Sequence, residues 1–299
     1  MPWKSMVLLR LNMSLVRNWA KFILALCGKL FVMKIGNRMN YIMRVSLLFL
    51  LPWTAQAAEL VTLQTRPEVT QSLYLEKQET PVASVILFAG GHGRLKLKDD
   101  FGSVKIRKLR SNFLVRARNE FSLHGFTIAI VDAPSDYQRK KGMLGGFRNS
   151  EEHVTDMDAV IAYLRKQADV PVWLVGTSRG TESAANVALY SKQSPAGVIL
   201  TSSMSVSNSM GTPLTEMAMD MLKIPAMVVA HENDECRKTP AKGSKKIMAM
   251  LTNSPRKELK MFSGGDEPVS KPCQARSYHG FLGIEEDVID SIAVFIKAK

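Results

Sequence analysis

Hydrophobic positions along this chain follow two periods. Short, nearly continuous apolar runs at Val85–Ala89, Thr127–Val131, Val172–Val175, Val198–Thr201, Ala226–Ala230 and Leu259–Phe262 are mostly rich in β-branched residues. That is the pattern of strands buried on both faces. Helical spacing fills most of the intervals, at Asn112–Leu123, Ser150–Gln167, Arg179–Lys192, Lys245–Leu251 and Ile284–Lys297. Ahead of these, the alternating stretches Leu60–Thr65 and Ser72–Glu76 flank Arg66-Pro67-Glu68 and predict an antiparallel hairpin. The alternation of strand and helix predicts an α/β fold with a mainly parallel sheet covered on both faces. In such a sheet ligands bind outside the carboxyl ends of the strands. Chemistry is therefore expected in the loops Gly90–Gly102, Asp132–Gly146, Gly176–Gly180, His231–Gly243 and Ser263–Gly280.

Composition changes this picture at one end. The 299 residues are 46% apolar and 22% charged, which excludes a disordered or collagen-like chain, and the formal charge is +13. Residues 1–58 hold eight of the basic residues and no acidic one, so the charge of the remainder falls to +5. Within this leader Arg44 precedes the apolar run Val45–Trp53, and Thr54-Ala55-Gln56-Ala57-Ala58 has the small-residue form of a signal-peptidase site after Ala57. This is the layout of a secretory signal peptide. The run is short of the roughly 20 apolar residues that span a bilayer, so cleavage is expected and the protein is read as exported, periplasmic or secreted. Because Met33, Met39 and Met43 each precede a more ordinary signal sequence, translation is expected to start downstream of Met1. The competing reading of 22–33 and 45–53 is a membrane hairpin or uncleaved anchor. From Ala58 on, with no repeat, low-complexity tract or long linker, residues 58–299 read as a single domain.

Cysteine usage agrees with export. Beyond Cys27 in the leader the chain has only Cys236 and Cys273, an even pair that would join in an oxidising compartment. The chain entropy of closing that loop corresponds to about 4 kcal/mol.

The strand at 172–175 runs directly into Gly176-Thr177-Ser178-Arg179-Gly180 and then into an Ala-rich helix. In that strand–turn–helix setting G-x-S-x-G has a mechanical meaning. The glycines at 176 and 180 allow a turn too tight for side chains, which exposes the Ser178 hydroxyl above the sheet. A serine needs an adjacent base, itself oriented by a carboxylate. Among five histidines, His279 lies after the last strand in Ser277-Tyr278-His279-Gly280-Phe281. His124 reads as a helix-end residue, His153 as a solvated position in a first helical turn, and His92 and His231 as strand-end residues that could line the site. For the acid, Asp234 follows the strand at 226–230, with Glu232, Glu235, Asp266 and Asp132 as rivals. Asp132, followed by Ala133-Pro134, is expected to fix its own loop. The order Ser178, Asp234, His279 is nucleophile, acid, base.

Five segments together carry a family likeness: Phe88-Ala89-Gly90-Gly91-His92-Gly93, Val131-Asp132-Ala133-Pro134, Val175-Gly176-Thr177-Ser178-Arg179-Gly180, His231-Glu232-Asn233-Asp234 and Tyr278-His279-Gly280-Phe281. Over nearly all of Leu60–Lys299 the chain resembles the α/β-hydrolase superfamily, most closely its small, lidless, dienelactone-hydrolase-like or carboxylesterase-like bacterial members. The resemblance implies Ser178 as nucleophile, Asp234 as acid and His279 as base. It also implies an oxyanion hole formed by the backbone N–H of Arg179 and that of Gly91 or His92. Two glycines precede the histidine of the first loop, a departure from the family's H-G-G-G form that leaves the second donor open. Ser202–Lys223 is long enough for a short cap at most.

These readings predict an exported serine hydrolase acting on an ester-type acyl substrate. No metal or organic cofactor is implied, since H-E-x-x-H and paired C-x-x-C motifs are absent and Gly90–Gly93 lacks the residues of a phosphate loop. A disulfide between Cys236 and Cys273 would tie the acid loop to the base loop. The basic residues Arg94, Lys96, Lys98, Lys105, Arg107, Lys108 and Arg110, with Arg139-Lys140-Lys141, follow two strands and are expected to draw an anionic substrate to the site. Nucleic acid is not expected, because Phe101 is the one aromatic within the first cluster. The alternatives are a non-catalytic binding or scaffold protein of the same fold and a membrane-surface protein.

Overall fold

The computed structural model describes residues 58–298. The expected leader, its signal peptide and the alternative membrane hairpin lie outside the described residues. A hairpin comes first, β1 (Glu59–Arg66) and β2 (Val69–Glu76), turned at Glu68 with a positive φ of 58°. Then follow β3 (Ala83–Phe88), a small hairpin β4 (Lys98–Asp100) and β5 (Ser103–Lys105), α1 (Phe113–Arg116), α2 (Arg118–Leu123) and β6 (Phe126–Val131). The remainder alternates α3 (Glu151–Gln167), β7 (Val172–Thr177), α4 (Gly180–Tyr190), β8 (Gly197–Thr201), β9 (Ala226–His231), α5 (Ala241–Met250), β10 (Lys257–Phe262) and α6 (Glu285–Lys297).

Eight strands form one sheet in the order β1-β2-β6-β3-β7-β8-β9-β10, antiparallel at β1–β2–β6 and parallel from β6 onward. Alternate side chains of each buried strand serve opposite cores. Ile86 and Phe88 join Met157, Val160, Ile161 and Leu164 of α3, Ala184 and Val187 of α4 and Ile247 of α5. Val85 and Leu87 pack instead with Phe113 and Leu114 of α1, Phe121 of α2 and Val288, Ile289 and Ile292 of α6. Burial on both faces explains why these strands lack a polar alternation. The edge strand β10 is half exposed and carries Lys257, Glu258 and Lys260, charges that discourage pairing with another chain.

Three elements differ from the periodicity reading. The helix expected over 112–123 breaks at Ala117, whose ψ of 9° leaves the helical region and turns the chain between two short helices. The helix α5 begins at Ala241, ahead of the expected 245, because Gly243 and Ser244 belong to its buried face. The loop after β3 holds the unanticipated β4–β5 hairpin, with Phe101 fully exposed at its tip. The segment between β8 and β9 contains two 3₁₀ turns, at Leu214–Glu216 and Met219–Met221, and sends Leu214, Met217, Met219 and Leu222 into the core. Among the described residues no helix is long and apolar enough to cross a membrane.

Candidate active site

The strand ends of β3, β7 and β8 are in register, with Phe88 beside Gly176 and Thr177 beside Thr201. Ser178 follows at the tip with a φ of 52°, a left-handed conformation that costs a non-glycine residue on the order of 1–3 kcal/mol. Three bonds hold it there. Its N–H donates to the Thr201 carbonyl (3.0 Å), and its carbonyl accepts from the N–H (3.0 Å) and hydroxyl (2.6 Å) of Thr181. A methyl at Gly176 would lie 2.5 Å from the Gly180 carbonyl oxygen, and one at Gly180 would overlap the Phe88 carbonyl. Both glycines are thus required by close approach of backbone.

Across the carboxyl ends, His279 sits on a 3₁₀ turn, Tyr278–Gly280, and Asp234 in the turn after β9. Both are buried. His279 Nδ1 lies 2.9 Å from Asp234 Oδ2, and the Ser202 hydroxyl donates to the His279 carbonyl at 2.8 Å. The carboxylate also accepts the Cys236 N–H (2.9 Å) and the Thr239 hydroxyl (3.0 Å). With Nδ1 engaged by Asp234, Nε2 is the ring nitrogen left for other partners. Ser178 and His279 line one cavity of about 320 Å³ together with Gly90, Gly91, Leu109, Arg110 and Cys273.

The rival acids are elsewhere. Glu232, Glu235 and Asp266 are exposed. Asp132 is buried and accepts the N–H groups of Leu95 (2.6 Å), Leu97 (3.0 Å) and Ala133 (2.8 Å), so it fixes the loop that follows β3. His124 caps α2 and reaches Asp290 at 2.8 Å. His231 accepts the Asn233 N–H, bonds the Gly264 carbonyl and stacks on Tyr278 at 4.7 Å, which steadies the turn bearing His279. His153 is not solvated as expected. It is 1% exposed, packed on Phe147 and Phe88, with both ring nitrogens unpartnered, and burial pushes its pKa down to about 3.

In the loop after β3 Gly91 lines the cavity, whereas His92 turns away, its Nδ1 accepting the Arg94 N–H at 3.0 Å. Among the described residues neither the Gly91 nor the Arg179 N–H has an intramolecular acceptor. Gly90 packs directly on Ser178, since a methyl there would lie 3.0 Å from its Cβ. Of the basic residues, only Arg110 lines this cavity; Lys105 and Arg107, with Arg110, line a neighbouring groove.

Cys236 and Cys273 are bonded to each other, which joins the Asp234 turn to the segment leading to His279. Asp234, Cys236 and His279 converge closely enough to suggest ligands, but the sulfur belongs to the disulfide and the other two to each other.

The side chains of Thr239, Ser202, Arg148, Arg179 and Glu182 went unread in the sequence; all five are buried. Arg179 reaches Glu182 at 3.3 Å and also donates to Asn208. Burial raises the Glu182 pKa to about 7. Arg148 is 1% exposed, and the same effect lowers its guanidinium to about 10.

No protein-family model matches the chain, and no curated protein does. Solved structures do. A monoglyceride lipase variant from Saccharomyces cerevisiae aligns over 82% of this chain and 96% of its own, with 13% identity and a TM-score of 0.57. The chain has the α/β-hydrolase fold. An esterase from Pyrococcus furiosus aligns over 80% of this chain and 91% of its own, at 15% identity and a TM-score of 0.54. A dienelactone hydrolase from Anabaena variabilis covers 80% and 95% at 12% identity and 0.53.

Proposed function

We propose that this α/β-hydrolase is an exported serine hydrolase that cleaves an ester-type acyl substrate through an acyl-Ser178 intermediate. The observation that carries the reading is the 2.9 Å contact of His279 Nδ1 with Asp234, beside a cavity that holds both His279 and a strained Ser178. Solved esterases of the same fold agree with it.

In this mechanism His279 Nε2 takes the Ser178 proton as Oγ attacks the acyl carbonyl, and Asp234 holds the imidazole in the tautomer that can do so. The developing oxyanion is received by the N–H groups of Arg179 and Gly91. Two such donors form the largest stabilising contribution in sites of this type. Arg179 N–H is also at the start of α4, where the helix adds favourable partial charge. Collapse of the intermediate breaks the acyl–oxygen bond, and His279 returns the proton to the leaving alcohol. Water, deprotonated by the same imidazole, then attacks the acyl-serine, releasing the acid and restoring Ser178.

The small cavity favours a short acyl group, and Arg110 at its wall favours an anionic one. The disulfide and the basic leader ending at Ala57 favour export. A fluorophosphonate probe and a chain-length series of p-nitrophenyl esters test the reading. Labelling and turnover are expected in wild type and absent in Ser178→Ala; an unlabelled Ser178 in folded protein means a non-catalytic scaffold. Comparing kcat/KM for acidic and neutral esters at low salt tests the anionic preference.

A further inference from the structure

Arg148 is the largest fully buried side chain in the described structure and has no part in the mechanism above. It lies on a 3₁₀ turn, Phe147–Asn149, between β6 and α3. Its Nη1 donates to the Ser183 hydroxyl of α4 at 2.7 Å. Its Nη2 donates to the Ala89 carbonyl at 2.9 Å and, less closely, to the Gly91 carbonyl at 3.4 Å. Nε has no partner, and no carboxylate bonds the guanidinium directly. Burying a cation in this way is expensive, and a core of this size could have filled the space with an apolar side chain.

The two carbonyls it grips flank one peptide. Ala89 and Gly91 bracket the Gly90–Gly91 amide, whose own carbonyl accepts the Gly93 N–H at 3.2 Å and whose N–H, that of Gly91, is the candidate oxyanion donor. Fixing the peptides on either side fixes the direction of that N–H. Gly93, at a φ of 70°, is closely packed on the same guanidinium: a methyl there would lie 2.1 Å from Met143 Cε and 2.5 Å from Arg148 Nη2. Ser183 anchors the same fork to α4, the helix that begins just after the nucleophile.

We propose that Arg148 is the positioning residue of the oxyanion hole, its buried fork orienting the Gly91 N–H relative to Ser178. This rests on the serine-hydrolase reading and adds to it the side chain that sets the second donor. The planar fork matters as well as the charge, because Nη2 takes both carbonyls while Nη1 holds the Ser183 hydroxyl, and a lysine ammonium has one nitrogen where the arginine uses two.

The test compares wild type with Arg148→Lys, Arg148→Met and Ser183→Ala. The readouts are kcat and KM on a p-nitrophenyl ester and inhibition by phenylboronic acid, which forms a tetrahedral adduct on an activated serine. Loss of a positioned donor lowers kcat by roughly 10- to 100-fold at nearly constant KM, with boronate inhibition weakened in parallel. Both Arg148 variants should show this, and Ser183→Ala a several-fold form of it. Folded Arg148→Lys or Arg148→Met with wild-type kcat and boronate affinity would overturn the proposal. If neither Arg148 variant folds, unchanged kcat and boronate affinity in Ser183→Ala would do so. Wild-type enzyme that takes no fluorophosphonate on Ser178 instead refutes the hydrolase reading, so the two failures are separately visible.

Discussion

The Thr239 hydroxyl lies 3.0 Å from Asp234 Oδ2 and 3.0 Å from His279 Nδ1, beside the direct contact between those two side chains. Donating to the carboxylate, it leaves a lone pair for the imidazole N–H, so one side chain steadies both members of the pair. Thr239→Val keeps the shape and removes the hydroxyl. We expect kcat to fall roughly tenfold, a barrier change of about 1.4 kcal/mol, with KM unchanged in steady-state ester hydrolysis.

Stability against acid should depend on His153. Its pKa is about 3 in the folded protein and about 6.5 when unfolded. Above the unfolded value both states are neutral and the contribution is whole. As pH falls below it the unfolded chain takes up a proton that the folded one refuses, and stability drops at up to about 1.4 kcal/mol per pH unit until about pH 3. In His153→Leu the urea midpoint should be less sensitive to pH between about 3 and 6.5.

Glu182 works in the opposite sense. Its folded pKa is about 7, above the unfolded value near 4.3, so the folded state binds the extra proton. That contribution is whole in acid and disappears as pH rises through about 7. Glu182→Gln should flatten the alkaline side of the stability profile. Because the windows overlap near pH 5–6, wild type should be nearly flat there with respect to these two groups, each single variant exposing the other's slope in urea titrations.

Reducing Cys236–Cys273 should affect stability and turnover together. Cys236 donates its N–H to Asp234 and Cys273 lines the cavity. Dithiothreitol, or Cys236→Ala with Cys273→Ala, is expected to cost about 2–4 kcal/mol in chemical denaturation. It should also lower kcat under conditions where the protein remains folded. Unchanged kcat would mean that Thr239 and the turn after β9 hold the acid unaided.

The strands were readable because burial on both faces leaves an uninterrupted apolar run, and the elbow because two glycines meet backbone at either end of a strand-to-helix turn. His153 was readable in principle. It shares the stripe His153, Met157, Val160, Ile161, Leu164 at helical spacing, but the exposed Glu151, Glu152 and Thr155 around it suggested a wet first turn. Arg148 and Thr239 had no comparable signal. Their roles come from loops distant in sequence, with Arg148 meeting Ala89 across 59 positions and Thr239 meeting His279 across 40. An arginine among loop residues reads as solvated until the chain closes over it.

The positive φ of Ser178 also opposes activity to robustness. Glycine would occupy that conformation without strain, so on the proposed function Ser178→Gly would relieve the folded state while removing the nucleophile. Random mutation under selection for heat resistance alone would therefore be drawn toward disarming this protein at position 178.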